Sequence, residues 1–69
     1  MRFFKVNGIY INLDNVNRFF IQQEIDDWKI YADLCDGSCV KISEHNSEKQ
    51  AKIDLDLIMT YIKEGKDEY

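Results

Sequence analysis

Apolar and polar residues alternate with a period of two over much of the first 43 residues, a pattern that predicts β-strands with one buried face. The first alternation covers residues 2–6 and resumes over residues 9–13. Asn7 and Gly8 lie between the two runs and readily take the positive φ that both central residues of a type I′ turn require. The pattern therefore predicts a hairpin in which the two residues flanking this turn face each other.

A third strand is predicted from Val16 to Ile25, after a tight turn at Asp14-Asn15. Its pattern is ambiguous because Phe19 and Phe20 are adjacent. A two-residue turn at Asp26-Asp27 resolves the ambiguity by turning Phe20 outward. The residues that this register sends to the buried face are Phe19, Ile21 and Ile25.

The stretch from Trp28 to Ser43 predicts a second hairpin, interrupted by Asp36-Gly37-Ser38. A two-residue loop would place a lysine and a serine on the buried face, whereas a three-residue loop presents apolar residues from both strands to one side. The longer loop is therefore predicted. The pairs that it predicts are Ala32–Ile42, Leu34–Val40 and Cys35–Cys39.

The hydrophobic period changes to 3.6 residues in the last third of the chain, which predicts a helix from Glu48 to about Lys63. Ser47 followed by Gln50 is typical of a capping box, and Gly65 is expected to end the helix. Residues 66–69 are predicted to fray. The stripe expected to lie on the sheet is Ala51, Leu55, Ile58, Met59 and Ile62.

A second apolar stripe on this helix consists of Ile53, Leu57 and Tyr61. One helix on a small sheet does not readily bury two stripes. The second stripe is then either a flank that neighbouring segments partly cover or a contact surface for a second subunit.

These elements predict a single α+β domain over residues 1–65, an antiparallel meander of four to five strands with one C-terminal helix packed on one face. At 69 residues one hydrophobic core is barely sufficient, so self-association as a homodimer is expected. No apolar run approaches the ~20 residues of a membrane helix, and the N-terminus lacks a signal-peptide pattern. A cytoplasmic location is therefore predicted.

Chemical motifs indicate a protein that is not an enzyme and that needs no metal or cofactor. The single histidine, His45, has no neighbour at ligand spacing and is interpreted as a surface residue. Asp54 and Asp56 fall on different helix faces. Cys35 and Cys39 match neither a zinc nor a redox spacing; the predicted register makes a disulfide geometrically possible, but a cytosolic compartment keeps thiols reduced.

Aromatic and cationic residues collect on the sheet face that is predicted to lie opposite the helix, where four cations outnumber Glu24 and Asp33. Such a face predicts contact with another protein or with a second copy. Single-stranded nucleic acid is the alternative, because aromatic stacking with interleaved cations is how sheets hold it; a purely structural face is the third. The predicted binding face is Phe3, Lys5, Tyr10, Arg18, Phe20, Lys29, Tyr31 and Lys41.

Four turn and strand segments share a pattern with a known family: Val6-Asn7-Gly8, Tyr10 to Val16, Asp36-Gly37 and Val40 to Glu44. Together they resemble the small flagellar FlbD-like proteins, which also open with an Asn-Gly hairpin and end in a helix. The third strand is longer than in that family, and the proline-containing turn is missing. The resemblance implies a small non-catalytic accessory or regulatory protein of bacteria and supplies no site residues. In size and acidity the chain is also similar to phage-encoded inhibitors of host enzymes.

Overall fold

A computed structural model describes residues 2–69; Met1, which the predicted domain includes, lies outside the described residues. Five antiparallel strands in two sheets are followed by one C-terminal helix, which confirms the predicted α+β class. The elements are β1 (Phe3–Val6), β2 (Ile9–Asn12), a 3₁₀ turn (Leu13–Asn15), β3 (Val16–Glu24), β4 (Asp27–Leu34), β5 (Cys39–His45) and α1 (Glu48–Lys63).

The first hairpin, β1–β2, is confirmed in both turn and register. Val6 lies opposite Ile9, and the backbone of Asn7 and Gly8 has φ of 49° and 80°. Positive φ at both positions is what a type I′ turn requires, and this turn matches the twist of the strands that it joins. Local turn chemistry therefore determines this hairpin.

The strands do not form one continuous meander: β1–β2 is a separate sheet, and β3–β4–β5 is a three-stranded sheet. The 3₁₀ turn separates them, with the side chain of Asn12 accepting a hydrogen bond from the amide of Asp14. This turn redirects the chain, so that the hairpin packs against the larger sheet instead of extending it. The buried side chains that join the hairpin, the sheet and the helix are Phe4, Val6, Ile11, Ile30, Ala32, Ile42 and Ile58.

The β3–β4 connection differs from the predicted turn by one residue. Ile25 and Asp26 form the turn, and Glu24 lies opposite Asp27, so the register is shifted by two residues from the prediction. A shift of two preserves the faces of a strand. Phe19 therefore still packs against the core, whereas Ile25, predicted to be buried, is 97% exposed at the tip of the turn.

Up to the bulge, the β4–β5 register is also shifted by two residues, because the pair nearest the loop is Asp33–Cys39. The loop itself, residues 35–38, is one residue longer than predicted. Cys39 lies opposite Asp33, not opposite Cys35, and both cysteines are free and exposed. The geometric basis for a disulfide between them is therefore absent. A β-bulge follows, because Tyr31 pairs with Lys41 and Ile30 pairs with Ser43, which leaves Ile42 as the extra residue. The predicted pairs Ala32–Ile42, Leu34–Val40 and Cys35–Cys39 are thus all wrong.

Helix α1 begins and ends at the predicted residues, and the side chain of Ser47 accepts a hydrogen bond from the amide of Gln50. Ala51 and Ile58 are buried on the sheet. Met59 was expected on the same face but is 45% exposed, because the flank of the helix toward β3 is left uncovered. On the opposite flank Tyr61 packs edge-on against Tyr69, with ring centroids 5.0 Å apart.

Residues 66–69 do not fray in this structure. The amide of Lys5 donates to the carbonyl of Asp67, and the amide of Tyr69 donates to the carbonyl of Lys5, each at 2.8 Å. Glu68 forms a parallel bridge with Lys5. The Arg2 guanidinium also donates to the carbonyls of Ile62 and Lys66, so the C-terminal segment covers the outer edge of β1.

Candidate functional site

The eight residues of the predicted binding face are divided between the two sheets. Phe3, Lys5 and Tyr10 belong to the hairpin, where Tyr10 is 70% exposed and the Lys5 ammonium lies 5.4 Å from its ring centroid. The other five lie on the side of the three-stranded sheet away from the helix, which we call the outer face. The charged and aromatic residues of the outer face are Arg18, Phe20, Glu24, Lys29, Tyr31, Asp33, Lys41 and Glu44.

An aromatic stack lies at the centre of the outer face. Phe20 and Tyr31 are opposite each other in the β3–β4 register, and their rings are stacked with centroids 5.5 Å apart. The guanidinium of Arg18 lies 4.8 Å from the centroid of Phe20 and contacts the carboxylate of Asp33 at 3.4 Å. Each of these side chains is therefore held in place by a neighbour on the same face.

Glu24 organises the end of the outer face that lies near the β3–β4 turn. Its carboxylate accepts hydrogen bonds from the Tyr31 hydroxyl at 2.7 Å and from the Lys29 ammonium at 3.3 Å. The bond from Tyr31, followed by the bond from Lys29, lowers the pKa of Glu24. The same contacts act in reverse on the donors: the hydrogen bond to Glu24 raises the pKa of both Lys29 and Tyr31.

The outer face is balanced in charge, in contrast to the predicted cationic excess. Lys5 lies on the other sheet, and the bulge at Ile42 turns Glu44 outward, where it pairs with Lys41 at 3.6 Å. Together with the contacts of Arg18 and Lys29, this pair gives each of the three outer-face cations a carboxylate partner on the same face.

A second polar cluster, centred on Asp54, lies between α1, β5 and the C-terminal segment. Oδ2 of Asp54 accepts hydrogen bonds from the Ser43 hydroxyl and from Nε2 of His45, both at 2.9 Å, and Oδ1 accepts the Tyr69 hydroxyl. Ser43 and His45 reach the helix because the extra residue in the bulge reverses the strand's alternation after Ile42. His45, predicted to be a surface residue, is instead part of this cluster.

Burial by itself raises the pKa of Asp54, but the hydrogen bonds from Tyr69, His45 and Ser43 outweigh it, so that the pKa lies below its ordinary value. Burial and the bond to Asp54 raise the pKa of Tyr69 to about 12. These shifts have the directions expected for an ionised carboxylate held by hydrogen-bond donors. Asp54 is therefore a hydrogen-bond centre that joins three segments of the chain.

The Ser43, His45 and Asp54 side chains have the composition of a hydrolytic triad but not its geometry. In a triad the serine hydroxyl donates to an imidazole nitrogen that is free to accept, while the other ring nitrogen donates to the carboxylate. Here Nε2 lies 3.3 Å from the Ser43 hydroxyl, but both groups lie closer, at 2.9 Å, to the same carboxylate oxygen. A ring nitrogen that contacts an ionised carboxylate is its donor, so Nε2 has no lone pair for the hydroxyl proton. The arrangement does not activate Ser43 as a nucleophile.

Sequence reasoning missed this cluster, although one signal was present. Asp54 lies three residues after Ala51 and four before Ile58, and these spacings place it on the side of the helix that faces the sheet. A carboxylate at such a position needs partners. The partners on β5 could not be identified, because a regular strand would have turned Ser43 and His45 away from the helix.

An apolar groove of about 440 Å³ lies between α1 and the start of β3. Exposed Met59 forms part of its wall. The residues that line it are Leu13, Val16, Asn17, Arg18, Phe19, Leu55, Met59 and Ile62. The lining is mostly apolar and does not include His45 or Asp54. The groove is therefore suited to binding apolar side chains.

The fold and these surfaces define a small α+β protein with a charge-balanced aromatic outer face and an apolar groove. No protein-family model, curated protein sequence or solved structure matches the chain. Within residues 2–69, no helix is long and apolar enough to cross a membrane, and no group of three or more His, Cys, Asp or Glu side chains is placed to hold a metal ion.

Proposed function

We propose that this chain is a small non-catalytic protein of the cytoplasm that acts by binding another protein through the outer face. The observation that carries the proposal is the Arg18–Phe20–Tyr31 stack, in which large side chains are presented on an open sheet face in fixed positions. Aromatic residues and arginine are the side chains most enriched at the centres of protein interfaces. Holding them in place before binding lowers the entropy cost of association.

Charge balance favours a protein partner over single-stranded nucleic acid, the alternative. Nucleic-acid affinity comes largely from cations that neutralise phosphates. Arg18, Lys29 and Lys41 are already paired with carboxylates, and Glu24, Asp33 and Glu44 would repel a phosphate backbone. The two central rings also stack on each other, which leaves fewer free ring faces for bases.

The geometry at His45 supports a binding role over an enzymatic one, because the Ser43 hydroxyl donates to Asp54 and is not activated. The resemblance to FlbD-like proteins adds an accessory or regulatory role in bacteria to the proposal. Inhibition of a host enzyme, as by small acidic phage proteins, is a variant of the same binding function.

Affinity capture with matched variants tests the proposal. The double variant Phe20→Ser and Tyr31→Ser changes the outer face, and Ile53→Ser with Leu57→Ser is the control on the exposed side of α1. Circular dichroism establishes that each variant is folded. We expect quantitative mass spectrometry to show a protein that the wild type and the control retain and the outer-face variant loses.

A partner retained equally by both double variants would contradict the outer-face assignment. The nucleic-acid alternative has its own readout, a fluorescent single strand whose binding weakens as salt rises and on Lys41→Glu. Binding of that kind, together with no captured protein, would replace the proposed function with the alternative.

A further inference from the structure

The strand edges of this protein are protected unequally. The outer edge of β1 is covered by residues 67–69, and β5 is interrupted by the bulge at Ile42, whose carbonyl accepts a hydrogen bond from the Asn7 side chain at 2.9 Å. β2 has four residues. β3 has nine residues and pairs with β4 alone among the strands of the described chain, so its other edge is open over that whole length.

Long open edges are pairing sites, and most proteins shorten, bend or cover them. Covering segments and a bulge protect β1 and β5 here, whereas the one irregularity of β3 lies at its start, between Val16 and Arg18. The remainder of β3 is regular and carries alternating outer-face and helix-side residues. Its edge is thus suited to pairing with another strand.

Two unexplained apolar features lie at opposite ends of β3. The groove is at the start of the strand, where Val16 and Phe19 meet the flank of α1. Ile25 is just beyond the end of the strand, on a two-residue turn, with 97% of its surface in solvent. An exposed isoleucine next to turn residues makes no contribution to the core of this chain.

We propose that two copies of this chain associate edge to edge through β3, antiparallel about a two-fold axis at Ile21. Antiparallel pairing brings the end of one β3 to the start of the other. It therefore places Ile25 of each copy at the level of Asn17 of the partner subunit, where the groove lies, and it does so twice by symmetry. A second copy is the one occupant that accounts for the open edge, the groove and the exposure of Ile25 together.

Two properties of β3 favour this register over others: the positions of its charged residues and the alternation of its outer-face and helix-side residues. With Ile21 opposite Ile21 of the partner subunit, Arg18 lies opposite Glu24 of the partner subunit at both ends of the pairing, and opposite charges across strands are favourable. An axis at a residue also keeps outer-face side chains opposite outer-face side chains. Moving the axis to Phe20 would place Glu24 opposite Val16 and lose both charge pairs.

The pairing joins two three-stranded sheets into one six-stranded sheet, with the two outer faces side by side. It differs from association through the outer face or through the second helix stripe, the two routes that the sequence suggests. It does not rest on the proposed function, since a dimer can form whether or not the outer face binds another protein.

Light scattering and sedimentation on the full chain at micromolar concentration provide the first test. We expect the wild type to have twice the 8.2 kDa mass of one chain. Ile25→Glu and Met59→Glu are expected to give one-chain masses with unchanged circular dichroism, because both side chains are exposed in the single chain. Leu57→Glu, on the second stripe, and Tyr31→Ser, on the outer face, are the controls and are expected to remain dimeric.

Cross-linking tests the register in a background where Cys35 and Cys39 are replaced by serine. Gln22 of the two copies would lie diagonally across the pair, about 7–8 Å apart. We expect Gln22→Cys to give a covalent dimer with a short bismaleimide and Gln50→Cys, exposed on α1, to give none.

A monomeric wild type, a dimer that survives Ile25→Glu, or a dimer abolished by Leu57→Glu or Tyr31→Ser would overturn the proposal. Efficient cross-linking at position 50 and none at position 22 would overturn it as well. A captured partner retained equally by both double variants, with the dimer intact, would contradict only the proposed function, so the two failures are distinguishable.

Discussion

Two carboxylates in this protein have closely similar partners in very different surroundings. Asp54 accepts hydrogen bonds from Tyr69, His45 and Ser43, and Glu24 accepts them from Tyr31 and Lys29. The side chain of Asp54 is 13% exposed, whereas that of Glu24 is 36% exposed. Each centre pairs a carboxylate with a tyrosine hydroxyl, but only one of them is largely removed from water.

The difference lies in what each centre connects. Glu24 and its donors belong to one hairpin, within seven residues along the chain. Asp54 joins β5, α1 and the C-terminal segment, over as many as fifteen residues. The same donor and acceptor chemistry therefore holds the fold together at Asp54 and orders a surface at Glu24, because water competes for the exposed hydrogen bonds.

The largest effect is expected from Asp54→Ala. It leaves the donors of Tyr69, His45 and Ser43 without their acceptor in a largely buried position, and we expect a loss of about 2 kcal/mol in the free energy of unfolding. The measurement is chemical denaturation followed by circular dichroism. Glu24→Ala is the matched control and is expected to lie much closer to the wild type, since water replaces its contacts. Equal losses for the two variants would remove the distinction.

A smaller effect is expected from Tyr69→Phe, which deletes one hydroxyl and keeps the edge-on contact with Tyr61. We expect a loss of about 1 kcal/mol together with faster hydrogen exchange at the Lys5 and Tyr69 amides, which pair β1 with the C-terminal segment. Tyr31→Phe removes the corresponding hydroxyl from Glu24. Faster exchange at the same two amides in Tyr31→Phe would show that the effect is not specific to the Asp54 cluster.

The smallest expected effect is on the acid dependence of stability. The pKa of Asp54 is lower in the folded chain than in the unfolded chain, so its contribution is present above about pH 4 and is lost as the pH falls through the folded value. Asp54→Asn removes this titration and should flatten the decline of unfolding free energy below that pH. Glu24→Gln, whose pKa is shifted in the same direction at a more exposed site, should flatten the decline less. A steeper decline in Asp54→Asn would mean that the sign is wrong.

Local signals made the first hairpin and the helix predictable. The turn of the first hairpin follows from the positive φ that Asn7 and Gly8 adopt. The start of α1 follows from the capping hydrogen bond between the Gln50 amide and the Ser47 side chain. Neither depends on what the rest of the chain does. Assignments of this kind need no knowledge of tertiary contacts.

The registers of the three-stranded sheet were less accessible to prediction, and both were wrong by two residues. A shift of two leaves side chains on the same face, so a period-two pattern cannot distinguish the alternatives. Beyond the bulge the β4–β5 register differs by one residue, and Ser43, Glu44 and His45 change face. The bulge at Ile42 depends on tertiary contacts, since it lets Ser43 and His45 reach Asp54 on the helix. Phe20 and Tyr31 were correctly predicted on the outer face, because they lie where the register differs by two residues. The charge balance and the Asp54 cluster could not be predicted, because they depend on the bulge.

The pairing of Lys5 with Asp67 and Tyr69 also has a consequence for the order of events during synthesis. Ribosomes release the N-terminal residues first. The edge of β1 is therefore made more than sixty residues before the segment that covers it, and it stays open while the sheet and helix are being completed. Until residues 67–69 emerge, the growing chain exposes the edge of β1 in addition to that of β3, and a nascent chain therefore has more unpaired strand edge than the folded protein.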